Sequence, residues 1–403
     1  MSDAYDVILY GATGFTGRQA AARLAATAPP GLRWAIAGRS AERLEALAAQ
    51  CNPHGVVVAD SQDPPTVDAM VARARVVIST AGPYLRYGTP VVEACVRLGV
   101  HYADITGETP WIKRLIEHYS EAATARGTRI IPACGFDSAP SDLGTLAVVA
   151  HLREHQYAAT LSVNASFTAA GGINGGTAAT LLTMAEDKVL EGALTDVLLL
   201  NPEDHQSDAE RGRSADLDRI YWDGDREVWL CPFLMAFINT RVVRRSNALL
   251  ASWGQGYGSA FTYHEAMETR SRTRAVVMEK SVRTLAAALR RPSGRWLARK
   301  LVPEPGAGPT EAAMDAGFFR LRLVGEAENG ERVLVTLKSQ GDPGNRVTTT
   351  ILCEAALMLA EDHAHLPGGP TRGGILTPAT GLGLPLLERL RGRGFELDFR
   401  PID

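Results

Sequence analysis

The chain has 403 residues, 45% of them apolar and 22% charged, with a net charge of −3 at pH 7. That length suits two domains with substantial cores, and the near-neutral balance excludes a basic nucleic-acid binder and a disordered acidic chain. The five cysteines (Cys51, Cys95, Cys134, Cys231, Cys353) are scattered, odd in number and without a C-x-x-C pair. This argues against a disulfide framework or a zinc site, and for a reducing compartment. The longest apolar run, Leu230 to Ile238, holds nine residues and a proline. A bilayer span needs roughly 20. The N-terminus shows no basic flank followed by an apolar run, so a cytoplasmic protein without a transmembrane segment is expected.

Tyr5 to Tyr10 reads as a short apolar strand running into Gly11-Ala12-Thr13-Gly14-Phe15-Thr16-Gly17. A helical stretch follows, with Ala20, Ala21, Leu24 and Ala25 on one face. A strand end and a helix N-terminus aim N–H groups and the positive end of the helix dipole at one point, where an anion can sit. The glycines allow a tight turn and close approach of a pyrophosphate. The spacing is G-x-x-G-x-x-G, and the strand–turn–helix context favours a dinucleotide site over an ordinary turn.

The second strand, Trp34 to Ala37, ends in Gly38-Arg39-Ser40. Dinucleotide folds choose their cofactor about 20 residues past the glycine turn: an acid there binds the ribose 2′-OH of NAD, an arginine the 2′-phosphate of NADP. Arg39, with Ser40 beside it, points to NADP(H); Ser40 is also placed to cap the helix that carries Leu44 and Leu47. A third strand, Gly55 to Ala59, ends at Asp60, which could meet the adenine edge or cap a helix. The fourth, Arg75 to Ser79, opens into Thr80-Ala81-Gly82-Pro83-Tyr84, whose small residues let ribose and nicotinamide lie close to the backbone. A helix through Val91 and Leu98, a strand from Tyr102 to Ile105, a helix through Trp111 to Tyr119 and a strand from Arg129 to Ile131 follow. The last strand ends in the loop Pro132 to Asp142. Such alternation means a doubly wound parallel sheet.

Several stretches together resemble the saccharopine dehydrogenase-like oxidoreductases, and more narrowly their trans-acting enoyl reductase branch. They are Gly-Ala-Thr-Gly-Phe-Thr-Gly (11–17), Ala-Gly-Arg-Ser (37–40), Ala-Gly-Pro-Tyr (81–84), Tyr-Ala-Asp-Ile-Thr-Gly-Glu (102–108) and Gly-Phe-Asp-Ser-Ala-Pro-Ser-Asp (135–142). Gly-Gly-Thr-Ala-Ala-Thr (175–180), Gly-Asp-Pro-Gly (341–344) and Gly-Gly-Ile-Leu-Thr-Pro-Ala-Thr (373–380) extend the likeness over nearly the whole chain. The resemblance implies an α/β protein: an NADP-binding Rossmann domain over residues 1–140 and 370–403, and an α+β substrate domain over 141–369. It also implies hydride transfer to an unsaturated acyl thioester held on an acyl carrier protein or polyketide synthase, and it is compatible with a homodimer.

In the second domain, Thr160 to Phe167 alternates like a half-buried strand. The glycine-rich Gly171 to Thr177 precedes a helix and could hold a substrate phosphate or serve as a plain connection. Asp223-Gly224-Asp225 and Asn329-Gly330 read as hairpin turns, the second between Phe318–Ala327 and Arg332–Lys338. Hairpins with helices suggest an antiparallel sheet backed by helices. Pro303 to Pro309 and 367–374 read as loops, and a final helix is expected from Ala379 to Arg393, capped by Gly394. Residues 268–300 hold ten basic residues and two acids, a balance of +8 against −3 for the chain. Val282, Leu285 and Leu289 make this an amphipathic helix, whose basic face is either simply solvated or a seat for an acidic carrier protein or an anionic membrane.

For an enoyl thioester, a nicotinamide near Ala81-Gly82-Pro83 and the 134–138 loop, with Cys134 beside it, requires a donor for the thioester oxygen and a proton for the α-carbon. Tyr84 is the first candidate, with Tyr87, Asp137, Asp104 and Cys134 near the same crevice. Two rivals remain. One is reduction of a C=N or C=O bond with a carboxylate clamp from Arg241, Arg244 and Arg245. The other is a non-catalytic NADP-binding protein at a lipid surface.

Overall fold

Along the first strand, Val7 and Leu9 enter one core while Ile8 and Tyr10 enter another, as the two-residue period of a strand requires. Burial on both faces is the condition for a central parallel strand. The computed structural model describes residues 4–156, 158–172, 175–301, 306–361 and 365–402.

Among the described residues, fourteen strands form two seven-stranded sheets. The first six are β1 (Tyr5–Tyr10), β2 (Trp34–Gly38), β3 (Gly55–Val58), β4 (Ala74–Ser79), β5 (His101–Asp104) and β6 (Arg129–Ile131). Six follow: β7 (Thr160–Ala170), β8 (Tyr221–Asp223), β9 (Val228–Pro232), β10 (Thr262–Thr269), β11 (Phe318–Ala327) and β12 (Arg332–Gln340). Two short strands close the chain, β13 (Gly374–Ile375) and β14 (Glu396–Ile402). The first sheet has the order β3-β2-β1-β4-β5-β6-β13 and is parallel throughout. This is the doubly wound dinucleotide-binding order with one strand added.

The second sheet has the order β14-β12-β11-β7-β10-β9-β8. It is mixed rather than antiparallel: β7 and β10 run parallel, Val163 opposite Tyr263. The chain between them crosses through helices Gly175–Glu186 and Ala236–Ser252, and parallel neighbours need such a crossover. β10 takes up the start of the basic segment, so the expected single amphipathic helix is instead a strand end and two helices, Arg272–Leu289 and Pro292–Leu301. Pro292 is the break: a proline inside a helix would clash with the preceding turn.

The C-terminal return is divided. β13 joins the first sheet beside β6, but β14 pairs with β12 at the edge of the second. The expected final helix is also split, into Pro378–Gly381 and Gly383–Arg391, because Gly383 turns the backbone to φ +65°. Helix Thr348–Glu361 departs from the expected boundary too. It is buried along nearly its whole length and lies against β1, β4 and β5 of the first sheet. A helix apolar on all sides needs cover on all sides, which only the seam between the two units provides. Fully burying a leucine such as Leu352 or Leu357 there contributes about 2–3 kcal/mol.

A buried acid pins this arrangement. Asp142 accepts from the Ser246 hydroxyl at 2.5 Å and from the Ala379 N–H at 2.7 Å, tying three helices together. Burial pushes its carboxyl up to about 7.

Candidate active site

The carboxyl ends of β1, β2, β4 and β5 open into a cavity of about 440 Å³ that reaches the second domain. Its floor is the glycine turn. Gly11 has φ +80°, and a Cβ there would stand 2.8 Å from the Ala81 amide nitrogen. At Gly17 a Cβ would stand 2.3 Å from the Gly11 carbonyl oxygen, so this glycine serves the packing of helix on turn and does not line the cavity. Gly14 is the N-cap of helix Phe15–Thr27, without a side chain to satisfy the first-turn N–H groups and without an acid in that turn. Unsatisfied donors at a helix N-terminus facing a cavity are what a dinucleotide pyrophosphate requires, so the residues present fit the cofactor. Thr13, Phe15 and Thr16 line the same end. The Thr80 hydroxyl donates to the Gly11 carbonyl at 3.2 Å and locks the β4 end to the turn.

Arg39 is exposed and lines the cavity where β2 ends. Arg43, one helical turn on, lines it too and donates to the Thr13 carbonyl at 3.2 Å. Both arginines therefore stand at the β2 end of the cavity. Arg43 is not anticipated from the sequence; its i+4 spacing from Arg39 is the signal that would place both on one helical face. Ser40 accepts from the Arg43 N–H at 3.4 Å as the helix N-cap and does not line the cavity. Asp60 does line it, with Oδ1 accepting from the Gln62 N–H in a tight turn. Tyr10 and Ser61, not anticipated, complete that wall, the Ser61 N–H donating to the Tyr10 hydroxyl at 3.0 Å.

Beyond Ala81, Gly82 and Pro83 the cavity meets the candidate proton donors. The Tyr84 ring lines it, but its hydroxyl donates to the Ser79 carbonyl at 2.9 Å and burial holds it far above the usual phenol range. Tyr84 is thus tied to the strand end, its ring 5.3 Å from that of Trp111. Tyr87 lines the cavity half-buried, with no hydrogen-bond partner for its hydroxyl among the described residues. Asp137 also faces it, half-buried and likewise without a hydrogen-bond partner among them; burial pushes its carboxyl up to about 6. Asp104 sits behind the β5 end, outside the cavity, its Oδ1 accepting from the Thr106 and Ala133 N–H groups. Burial pushes it up to about 7. Cys134 is fully buried, its thiol donating to the Ile131 carbonyl at 3.4 Å, and it is the adjacent Gly135 that lines the cavity.

Glu108 holds this wall in place. Its carboxylate accepts from the Tyr84 N–H at 2.8 Å, the Leu85 N–H at 2.7 Å and the Thr180 hydroxyl at 3.2 Å. It caps the short helix Tyr84–Tyr87 from outside and bridges to helix Gly175–Glu186. Burial raises its carboxyl and those hydrogen bonds oppose the rise. Only its place at the end of the Tyr102–Glu108 stretch marked it in the sequence.

The second domain contributes an apolar lobe of Leu181, Met184, Met235 and Ile238. Ile173 and Asn174 of the glycine-rich loop and Pro303 and Pro305 of the later loop lie outside the described residues. The segment after the latter crosses the glycine turn: Gly306 lines the cavity, and a Cβ on Gly308 would stand 2.4 Å from the Phe15 ring. Arg241, Arg244 and Arg245 are buried and committed elsewhere. Arg241 and Arg244 share Asp216, and Arg245 donates to the Leu200 and Ile375 carbonyls. None of the three lines the cavity.

Residues 7–131 match the family model described as the saccharopine dehydrogenase NADP binding domain. A candidate trans-acting enoyl reductase of Mycobacterium tuberculosis is 39% identical, over 98% of this chain and 97% of its own. The trans-acting enoyl reductase of Mycobacterium leprae is 34% identical, over 97% and 96%. Among solved structures, apo saccharopine dehydrogenase (L-Glu forming) of Saccharomyces cerevisiae superposes with a TM-score of 0.58 at 13% identity, covering 99% of this chain and all of that one. At that identity the likeness speaks for the fold alone.

Proposed function

The chain belongs to the saccharopine dehydrogenase-like oxidoreductases, with the trans-acting enoyl reductases as its full-length relatives, and from that premise we propose that it reduces the C=C bond of an enoyl thioester. The NADP-dependent oxidoreductase class follows from the family; the bond and the substrate are our reading. One observation carries it. The cations lining the cavity, Arg39 and Arg43, both lie at the glycine-turn end, whereas the substrate end is apolar apart from a few uncharged polar groups and the carboxyl of Asp137. Such a lobe suits an acyl chain and, among the described residues, offers no cation to a substrate carboxylate. The trans-acting designation of the relatives supports an acyl group presented by a separate protein, for which we take an acyl carrier of polyketide or lipid biosynthesis.

The glycine turn, Arg39 and Arg43 would hold NADPH, which would supply a hydride for the β-carbon. Reduction there leaves negative charge on the thioester oxygen, to which the Tyr87 hydroxyl, unpartnered among the described residues, can donate a hydrogen bond. The α-carbon then needs a proton. Asp137 can keep one up to about pH 6, because burial disfavours its charged form. Glu108 positions the Tyr84–Tyr87 turn, and Leu181 and Met184 exclude water from the acyl side.

The test is NADPH oxidation by the purified protein with enoyl thioester mimics, enoyl carrier protein, ketones and imines. Turnover of the enoyl substrates alone is expected. Turnover of a ketone or imine with none of any enoyl thioester would refute the reading.

A further inference from the structure

Helix Pro292–Leu301 carries Trp296 and Leu297 side by side on the surface, 59% and 52% exposed. More than half of each side chain protrudes, so no groove shelters them. Lys300 places its Nζ 4.0 Å from the centroid of the Trp296 ring. Around them the segment is densely cationic, and Arg270, Arg274, Lys280 and Arg291 have no ion-pair partner among the described residues. Large apolar side chains rarely stand exposed together on a soluble surface without a partner to cover them.

The underside of this helical pair is equally informative. Ala298, Leu285 and Leu289 pack into one cluster with Leu181, Met184 and Met235, the side chains that wall the apolar lobe. Arg299 forms an ion pair with Glu186 at the end of the lobe helix, and Arg290 pairs with Glu191 at 3.2 Å. The exposed ridge therefore lies one helix layer, about 10 Å, from the substrate end of the cavity.

We propose that the segment from Arg290 to Lys300 docks this protein on an anionic lipid surface, with Trp296 and Leu297 seated at headgroup depth. The chemistry fits each part. Tryptophan favours the boundary between headgroups and acyl chains, and lysine can reach back to the phosphates while its stem lies along the ring. Arg291 and Lys300 supply the attraction to anionic headgroups. Residues 268–300, which include this segment, carry +8 while the chain as a whole carries −3, so the rest of the surface is repelled and one orientation is selected. A protruding ridge suits a deformable lipid surface, whereas a helix of a protein partner would need a groove to receive it. Among the described residues no helix is long and apolar enough to cross a membrane, so the attachment is peripheral. This docking goes beyond the enoyl reductase reading and holds whichever bond is reduced.

Co-sedimentation of the full chain with phosphatidylcholine vesicles, with and without phosphatidylglycerol, tests it. Binding to the anionic vesicles only, weakened by added salt, is expected. Arg291→Glu and Lys300→Glu should each lower the partition by at least about fivefold, from the headgroup attraction each residue loses. Trp296→Ser should lower it further at unchanged charge, and NADPH binding, measured in the same samples, should be retained by all three. No binding to anionic vesicles, or equal binding by all variants, overturns the proposal. Binding of an isolated acyl carrier protein in place of vesicles, lost in the same variants, would reassign the surface to a protein partner and overturn it as well. Enoyl turnover measured without vesicles separates this outcome from that of the catalytic reading.

Discussion

The Thr180 hydroxyl donates to Glu108 at 3.2 Å, joining the wall that carries Tyr87 to the helix that carries Leu181 and Met184. The same carboxylate accepts two N–H groups of the Tyr84–Tyr87 turn. Glu108→Ala removes all three hydrogen bonds, and the buried Tyr84 N–H left unpaired costs about 1–3 kcal/mol. We expect a lower melting temperature, a clear fall in kcat and little change in the NADPH dissociation constant. Equal loss of cofactor binding would show that the turn is not the part Glu108 supports.

Asp137 is expected to set the pH dependence of turnover. Its carboxyl is pushed up to about 6, so the protonated donor form is present below that pH and is lost as pH rises through it. With enoyl substrates, kcat should fall on the alkaline side of pH 6. Asp137→Asn should lower kcat by about 10²–10⁴-fold and abolish that limb. A variant that keeps the wild-type profile would assign the proton to another group.

The two arginines at the β2 end predict cofactor choice. A charge-assisted hydrogen bond contributes about 1.5–3 kcal/mol. Arg39→Ala and Arg43→Ala should each weaken NADPH binding by roughly tenfold or more, and leave NADH binding nearly unchanged. Titration by nicotinamide fluorescence reads both. Parallel losses for the two cofactors would contradict contact with a 2′-phosphate.

The crossing of Gly308 over Phe15 predicts a paired effect. A Cβ at Gly308 overlaps the ring, so Gly308→Val should displace the segment that includes Gly306 and weaken NADPH binding several-fold. Phe15→Ala in the same chain should restore part of it, because the obstacle is then gone. Additive losses in the double variant would speak against this contact.

Glu268 predicts the acid limb of stability. It is buried and accepts hydrogen bonds from Arg322 at 2.6 Å, Arg320 at 3.0 Å and the Ser166 hydroxyl at 2.7 Å. Burial alone would raise its carboxyl, but the Arg322 hydrogen bonds and the other partners outweigh it, and the group titrates below its ordinary value. A lowered folded value means stability that is present above the unfolded value and lost as pH falls through the folded one. Glu268→Gln should reduce the melting temperature at neutral pH and flatten its fall in acid. Removing one partner of such a buried pair costs about 3–5 kcal/mol.

The parts of the site that were legible in the sequence are those made by neighbours in the chain. The strand, glycine turn and helix of residues 5–27 and the arginine at the β2 end follow from local periodicity and turn chemistry, which need no distant partner. The Asn329-Gly330 hairpin, with Gly330 at φ +89°, is of the same kind. The tertiary structure decided the rest. β14 pairs with β12 and β7 runs parallel to β10 because distant segments share an edge, and no local pattern encodes that choice. Tyr84 looked like a donor until the fold tied its hydroxyl to the Ser79 carbonyl, and Arg241, Arg244 and Arg245 looked like a clamp until Asp216 and backbone carbonyls took them. Asp137 and Glu108 differ in the opposite sense. Their chemistry comes from desolvation and from partners up to 72 positions away, quantities that exist only once the chain is packed.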